Sequence, residues 1–113
     1  MENDGWKIFG IQELAEEQRK GAAPYLEFLR VPSLSCGIYS LPAGAKDLQN
    51  PHDEDEAYYV LEGHARLRVQ GEEQVVGPGS LLYVKATSDH SFVEIEEDIT
   101  LLVFFATGGP SRT

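Results

Sequence analysis

The sequence predicts an all-β protein: one barrel or sandwich preceded by a short N-terminal helix. The chain has 113 residues, 42% of them hydrophobic, which is about the size and apolar content of one globular domain. After Pro24 the chain is a series of short runs rich in β-branched and aromatic residues. Glycine- and proline-containing turns separate them at intervals of about 8–12 residues, a pattern typical of β-sandwiches and barrels. Helices between the runs, which a parallel βαβ sheet requires, are missing from the pattern.

The helix is predicted from the segment IQELAEEQRK. Ile11 and Leu14 lie at helical spacing, basic residues end the segment, and Gly21 follows it. We therefore expect residues 1–23 to form an N-terminal segment that packs on the barrel. Residues 24–106 are expected to form the barrel itself, and residues 107–113 a flexible tail.

Strands are predicted, in chain order, from the runs YLEFLRV, LSCGIYSL, AYYVLEG, HARLRVQ, EEQVVGPG, LLYVKA, HSFVEIE and ITLLVFFA. Thr100 is the single polar residue of the last run, so both faces of this strand are expected to be buried. Burial between two sheets supplies that cover in one interpretation. A dimer interface over the outer face supplies it in the other.

Charge and cysteine content exclude several classes of protein. The net charge is −10, which argues against non-specific binding to nucleic acid or to an anionic membrane. Cys36 is the single cysteine, so no intramolecular disulfide can form, and we expect it to be a small core residue. No apolar run approaches the roughly 18 residues of a membrane span, and no signal peptide is evident. A cytoplasmic location is the resulting expectation.

The stretch PHDEDEAYYV carries the first candidate site. Side chains alternate between the two faces of a strand, and the face of Tyr58 and Val60 is expected to point inward. The same face carries Asn50, His52, Glu54 and Glu56. A buried carboxylate is unfavourable unless it is paired or binds a metal. An imidazole beside such a carboxylate is the beginning of a site for iron, manganese, zinc or nickel.

Other interpretations of this stretch remain open. Asp53 and Asp55 fall on the opposite face and are expected to be solvated. His52 can also be a hydrogen-bonded core histidine without a metal. A calcium loop of the EF-hand type is excluded, because the spacing D-x-[DN]-x-[DN]-G is not met and no helices flank the stretch.

A second histidine reaches the same region from a separate strand. The run GPGSLLYVKATSDHSF passes through a turn, a strand and a polar loop before His90. Since Phe92 follows two residues later, His90 can share the inner face at the start of the next strand. Ligands of a closed metal site must converge in this way from different strands.

These residues make the chain resemble a single-domain cupin of the RmlC-like, stand-alone barrel type. The first cupin motif has the form G-x5-H-x-H-x3,4-E-x6-G, and Gly44, His52, Glu56 and Gly63 fit it. Asn50 stands where the motif has its first histidine. The second motif has the form G-x5-P-x-G-x2-H-x3-N, and His90 matches its histidine. Lys85, Thr87 and Glu94 replace its usual proline, glycine and asparagine.

The resemblance implies a double-stranded β-helix, or jelly-roll, barrel with a divalent transition metal inside. The implied ligands are His52, Glu56 and His90, and Asn50 is a weaker candidate. Gln49, Glu54 or a water molecule are the alternatives to Asn50. Fe, Mn, Zn and Ni all suit this set. Cupins of this kind usually dimerise, so a homodimer is expected.

The implied function is action on, or binding of, an unidentified small organic molecule. Dioxygenase, isomerase and decarboxylase activities occur on this fold, with Glu54 or Tyr58 as candidate acid or base. The alternative is a non-catalytic ligand-binding barrel, or a dimer-forming barrel with a vestigial metal site. Arg66 and Arg68 share a strand face and are expected on the solvated surface; facing inward, they would instead form a clamp for a carboxylate. His64 is expected to be exposed.

Overall fold

The computed structural model describes residues 5–47 and 53–106 of the chain. Its elements in chain order are α1 (Ile11–Lys20), β1 (Tyr25–Val31), β2 (Leu34–Leu41), β3 (Glu56–Glu62), β4 (Ala65–Val69), β5 (Glu72–Val76), β6 (Leu81–Val84), β7 (His90–Val93) and β8 (Ile99–Ala106). Each run that the sequence marks as a strand forms one, with ends shifted by a few residues. The helix covers the predicted segment and stops at Gly21, whose N–H donates to the carbonyls of Glu17 and Gln18.

The strands form two antiparallel sheets. A large sheet has the order β1-β2-β8-β3-β6, and a small sheet has the order β5-β4-β7. Between them lies one apolar core, whose fully buried members include Tyr58, Val60, Phe92, Leu101 and Val103. The all-β jelly-roll prediction is confirmed by this architecture.

The two faces of the large sheet have different surroundings. Its inner face points to the core, and α1 packs on the outer face over β1 and β2. The side chain of Gln18 fixes this contact by accepting a hydrogen bond of 2.8 Å from the hydroxyl of Ser40. The outer face of β3, β6 and β8 lies beyond the helix and exposes Tyr59, Leu81 and Tyr83.

The position of β8 explains its apolar sequence. The strand pairs with β2 on one side and with β3 on the other, so it lies in the middle of the large sheet. Leu101 and Val103 are buried on the inner face, whereas Leu102 and Phe104 are half-buried on the outer face. Burial between the sheets therefore accounts for the inner face, and the dimer interface stays a prediction for the outer one. No helix in the described part of the chain is long and apolar enough to cross a bilayer.

Candidate functional site

A buried glutamate and a buried histidine meet inside the barrel. Glu56 is the first residue of β3 in the large sheet, and His90 is the first residue of β7 in the small sheet. Their side chains are each 1% exposed, and His90 Nε2 lies 2.9 Å from Glu56 Oε1. The two strands thus bring an imidazole and a carboxylate from opposite walls to one point in the core.

Neighbouring groups orient the His90 ring. Its Nδ1 atom lies 3.0 Å from the carbonyl oxygen of Ser88, so Nδ1 carries a proton and donates it there. Burial lowers the pKa of His90, but the hydrogen bonds to Glu56 and Ser88 and the charges of Glu56 and Asp47 outweigh it and raise the pKa above its usual value. The 2.9 Å contact with Glu56 therefore favours the protonated form of the His90 ring.

The second oxygen of the carboxylate lacks a partner. Glu56 Oε2 is buried and accepts no hydrogen bond from any described residue. A buried carboxylate oxygen in that state is unfavourable, so it calls for a donor or a cation. Carboxylate oxygen and imidazole nitrogen are both ligand types of divalent transition metals. The residues present therefore fit the metal that the sequence motif implies.

Tyr58 adds a hydroxyl to the pair. Its side chain is fully buried, and its Oη atom lies 3.2 Å from His90 Nε2. The phenol ring packs edge-to-face on Phe92, with ring centroids 5.4 Å apart. This packing fixes the hydroxyl beside the imidazole, and the acid–base role of Tyr58 stays a prediction.

Asp47 is a buried acid whose role is not evident from the sequence. Its Oδ1 atom accepts a 3.0 Å hydrogen bond from the hydroxyl of Tyr39, and its Oδ2 atom accepts a 2.8 Å bond from the backbone N–H of Phe92. A single aspartate after a Pro-Gly turn looks like an ordinary loop residue in the sequence. Only the fold shows that it connects β2 to the strand that carries His90.

Part of the predicted site falls on residues that the structure does not describe. His52, Asn50 and Gln49 belong to this part of the chain, so their predicted roles stay predictions. In residues 5–47 and 53–106, no group of three His, Cys, Asp or Glu residues is arranged to hold a metal ion. Glu56 and His90 are the predicted ligands that the described structure brings together.

The acidic residues before β3 have different surroundings. Asp53 is exposed, as expected. Asp55 was expected to be solvated as well, and this is wrong: it is half-buried, and its Oδ1 atom accepts a 2.7 Å hydrogen bond from the N–H of Ala86. Glu54 is half-buried in the bend that precedes β3, where its charge acts on the guanidinium of Arg30.

Of the remaining candidates, three lie at the surface and Cys36 is buried. Arg68 donates to Glu73 at 2.6 Å, and Arg66 lies within 3.6 Å of the same carboxylate, as the solvated interpretation predicts. His64 is exposed and forms a 2.7 Å hydrogen bond with Glu97. Cys36 is buried on the side of the large sheet that faces α1, and burial raises its pKa, so it is a core residue.

Comparisons with known proteins agree with this fold. The family model described as the cupin domain matches residues 37–105. The uncharacterized protein SCO3923 of Streptomyces coelicolor is 42% identical over 100 residues, which cover 88% of this chain and 95% of that protein. The crystal structure of TT1209 from Thermus thermophilus is similar with a TM-score of 0.70 and 25% identity, over 90% of this chain and 98% of that one.

Two further solved structures share the fold. The DMSP lyase DddQ from Ruegeria pomeroyi DSS-3 has a TM-score of 0.64 and 24% identity over 74% of this chain. The match covers 42% of DddQ, so this chain spans less than half of that protein. KdgF from Halomonas sp. has a TM-score of 0.67 and 21% identity, over 76% of this chain and 83% of that one. Together with the jelly-roll architecture, the match to the cupin domain and the relative in Streptomyces show that this chain belongs to the cupin family.

Proposed function

We propose that this chain binds a divalent transition metal inside its barrel and acts through it on a small oxygen-containing organic molecule. The observation that carries the proposal is the buried pair of Glu56 and His90, in which Glu56 Oε2 accepts no hydrogen bond from residues 5–47 and 53–106. His52 is the third ligand in the proposal and Asn50 the weaker fourth, both on the strength of the sequence motif. A metal held there would polarise a substrate carbonyl or a bound water.

The chain's own residues supply the surroundings that this chemistry needs. His90 holds a proton on Nδ1 against the Ser88 carbonyl, which leaves Nε2 as the ligand atom. Tyr58 can give or take a proton at its Oη atom, since that atom lies 3.2 Å from Nε2. Phe92 and the other core residues surround this point with apolar side chains. Glu54, half-buried before β3, is the second candidate acid or base.

Dioxygenase, isomerase and decarboxylase reactions are all compatible with this arrangement. The likenesses to DddQ and KdgF are too low in sequence identity to carry an activity over to this chain. They support the proposal only in showing that the same barrel occurs in a lyase.

The test is the metal content of protein purified without a histidine tag, measured by elemental mass spectrometry. Wild type, His52→Ala, Glu56→Gln and His90→Ala are compared after incubation with iron, manganese, zinc or nickel and gel filtration. His64→Ala is the matched control, because His64 is an exposed histidine on the outside of the barrel. Circular dichroism establishes that each variant is folded.

We expect about one metal ion per chain in the wild type and in His64→Ala, and a loss of at least about tenfold in each ligand variant. A wild type that retains no metal, or a folded His90→Ala that retains all of it, would overturn the proposal.

A second candidate function is a dimer-forming barrel with a vestigial metal site. An apolar patch on the outer face of β3 and β6 favours it, since Tyr59, Leu81 and Tyr83 are 39%, 71% and 67% exposed. In a chain with a net charge of −10, an apolar face of this kind is a contact through which two copies can approach without charge repulsion.

Sedimentation equilibrium tests this second candidate. Leu81→Glu is expected to convert a dimer into monomers. Val75→Glu, which changes an exposed apolar residue on the small sheet, is expected to leave it intact. A monomeric wild type would exclude the dimer.

A further inference from the structure

Three buried side-chain oxygens in the described residues have no hydrogen-bond partner: Tyr25 Oη, Ser35 Oγ and Glu56 Oε2. Such atoms are rare in folded proteins, because each one has lost its bonds to water without replacement. All three belong to the large sheet, on β1, β2 and β3. Two of them, Tyr25 Oη and Ser35 Oγ, are hydroxyl oxygens that have no role in the proposed metal site or in the apolar packing of the core.

The pairing register places Ser35 on the inner face. Ser35 is the partner of Phe105 on β8, and Phe105 is the partner of Glu56 on β3. Directly paired residues share one face of a sheet, and Phe105 packs against the core. The Cα atoms of Ser35 and Glu56 are therefore separated by two strand spacings, about 10 Å, in one row across the inner wall.

Tyr25 reaches the inner face through a gap left by glycine. A Cβ atom on Gly37 would overlap the phenol ring of Tyr25, so the ring lies directly on the backbone of β2. Gly37 is the partner of Val103, and Val103 is the partner of Tyr58. The hydroxyl-bearing end of Tyr25 thus lies in the row of Tyr58, next to the row that contains Ser35 and Glu56.

This part of the inner wall has polar ends and an apolar middle. It is formed by Tyr25, Ser35, Val103, Phe105 and Glu56. Tyr25 and Ser35 supply hydroxyl donors at one end, Glu56 with His90 lies at the other, and Val103 and Phe105 separate them. Arg30, the partner of Ser35 on β1, is exposed at the edge of the wall and forms a 2.9 Å ion pair with Glu27.

We propose that Tyr25 and Ser35 bind the far end of the substrate, and that this end is a carboxylate or keto oxygen of a short organic acid. The inference deepens the proposed function and rests on it for the near end of the ligand, at Glu56 and His90. Each of the two hydroxyls can donate a hydrogen bond to an acceptor oxygen on the ligand, and the apolar residues between them and Glu56 suit a short carbon skeleton.

Both hydroxyls are neutral donors at physiological pH. Burial, reinforced by the negative charge of Glu27, raises the pKa of Tyr25 to about 12, so its proton stays in place for donation. A bound carboxylate would therefore accept hydrogen bonds from two neutral hydroxyls.

The test is a titration of ¹⁵N-labelled protein with glycolate, lactate, pyruvate and succinate, followed by amide chemical shifts. Propylamine, which has no acceptor oxygen, is the control probe. The variants are Tyr25→Phe, which keeps the ring on Gly37 and removes only the hydroxyl, and Ser35→Ala. Tyr83→Phe and Ser33→Ala remove hydroxyls from exposed positions and are the matched controls. The titrations are run with and without added zinc, and the metal content is measured in parallel.

We expect at least one acid to bind and to shift the amides of Ser35, Val103 and Phe105, with no shift from propylamine. Tyr25→Phe and Ser35→Ala should each lower the binding affinity for that acid about 5–10-fold, which corresponds to the loss of one hydrogen bond. Neither variant should change the metal content. The control variants should bind as the wild type does. Removing an unpartnered hydroxyl should also leave the melting temperature of the ligand-free protein unchanged or higher.

The outcomes separate this inference from the proposed function. If the wild type retains metal but no acid binds, or both hydroxyl variants bind the acid as tightly as the wild type, the inference is wrong and the metal site stands. If an acid binds in a hydroxyl-dependent way to protein that retains no metal, the inference holds for a ligand-binding barrel and the metal proposal fails.

Discussion

Asp47 and Phe92 are 45 residues apart in the chain, and the carboxylate of the first accepts a 2.8 Å hydrogen bond from the backbone amide of the second. The same carboxylate accepts a bond from the hydroxyl of Tyr39 on β2. One buried side chain therefore ties the large sheet to β7, two residues after His90. The position of the imidazole depends on this connection as well as on its own hydrogen bonds.

Replacing Asp47 with alanine should lower the free energy of unfolding by about 2–3 kcal/mol, because the buried N–H of Phe92 loses its acceptor. Tyr39→Phe removes one hydrogen bond to the same carboxylate and should cost about 1 kcal/mol. Urea denaturation measures both values. Equal losses in the two variants would show that the bond to Phe92 contributes nothing of its own.

The buried pair of Glu56 and His90 should behave as one unit in metal-free protein. Glu56→Gln or His90→Gln alone leaves its partner without a counter-charge and should cost about 3–5 kcal/mol. The double variant should cost less than the sum of the two single changes by at least about 1 kcal/mol. The measurement is a double-mutant cycle by urea denaturation in the presence of a chelator. Additive losses would contradict a direct interaction between the two side chains.

Alkaline pH should destabilise the protein through Tyr25. Burial and the charge of Glu27 raise the pKa of this tyrosine from 10.0 to about 12. Below pH 10 the phenol is neutral in both the folded and the unfolded state, so its ionisation does not affect the free energy of unfolding. Between pH 10 and about 12 the unfolded chain ionises first, so the stability falls as the pH rises.

The stability of Tyr25→Phe should therefore fall less steeply over this interval than that of the wild type, whereas Tyr83→Phe, at an exposed position, should follow the wild type. Thermal unfolding between pH 9 and about 12 measures the difference. Parallel curves for the wild type and Tyr25→Phe would refute the prediction.

Two departures from the cupin motif should lower stability. Thr87 and Glu94 stand where the family has glycine and asparagine, and their φ angles are 66° and 49°. This left-handed conformation is one that glycine adopts freely and asparagine tolerates, but that a β-branched residue disfavours.

Thr87→Gly should accordingly stabilise the protein by about 1 kcal/mol, and Glu94→Asn by less. Thr87→Ala keeps a Cβ atom and is the control, with little or no gain expected. Melting temperatures by calorimetry report the order of the variants. A stability of Thr87→Gly below that of Thr87→Ala would show that the threonine conformation is not strained.

Local patterns were sufficient to predict the strands and the helix, because each depends on the residues within it. They also placed Glu56 and His90 on the inner face, since alternation along a strand decides which side a residue occupies. The role of Tyr25 could not be predicted in this way. It arises because β1 lies beside Gly37 and the ring occupies the space that a side chain would fill.

The error at Asp55 has a similar origin. By alternation Asp55 falls on the outer face and looks solvated, yet the amide that donates to its carboxylate belongs to Ala86, 31 residues further along the chain. Contacts of this kind are fixed by the packing of the two sheets. The backbone amides that donate to Asp55 and Asp47 lie far from both residues in the sequence, so the local sequence does not reveal these contacts.

The central place of β8 in the large sheet also determines how this protein is made. The strand separates β2 from β3, so without it the sheet falls into two pieces, β1-β2 and β3-β6. During synthesis, the barrel therefore stays incomplete until residues 99–106 have left the ribosome. Pairing of such distant segments is slow in folding, and the unpaired edges of β2 and β3 are exposed to other chains in the meantime. A nascent chain arrested before Ile99 therefore exposes two strand edges, those of β2 and β3, to which a chaperone can bind.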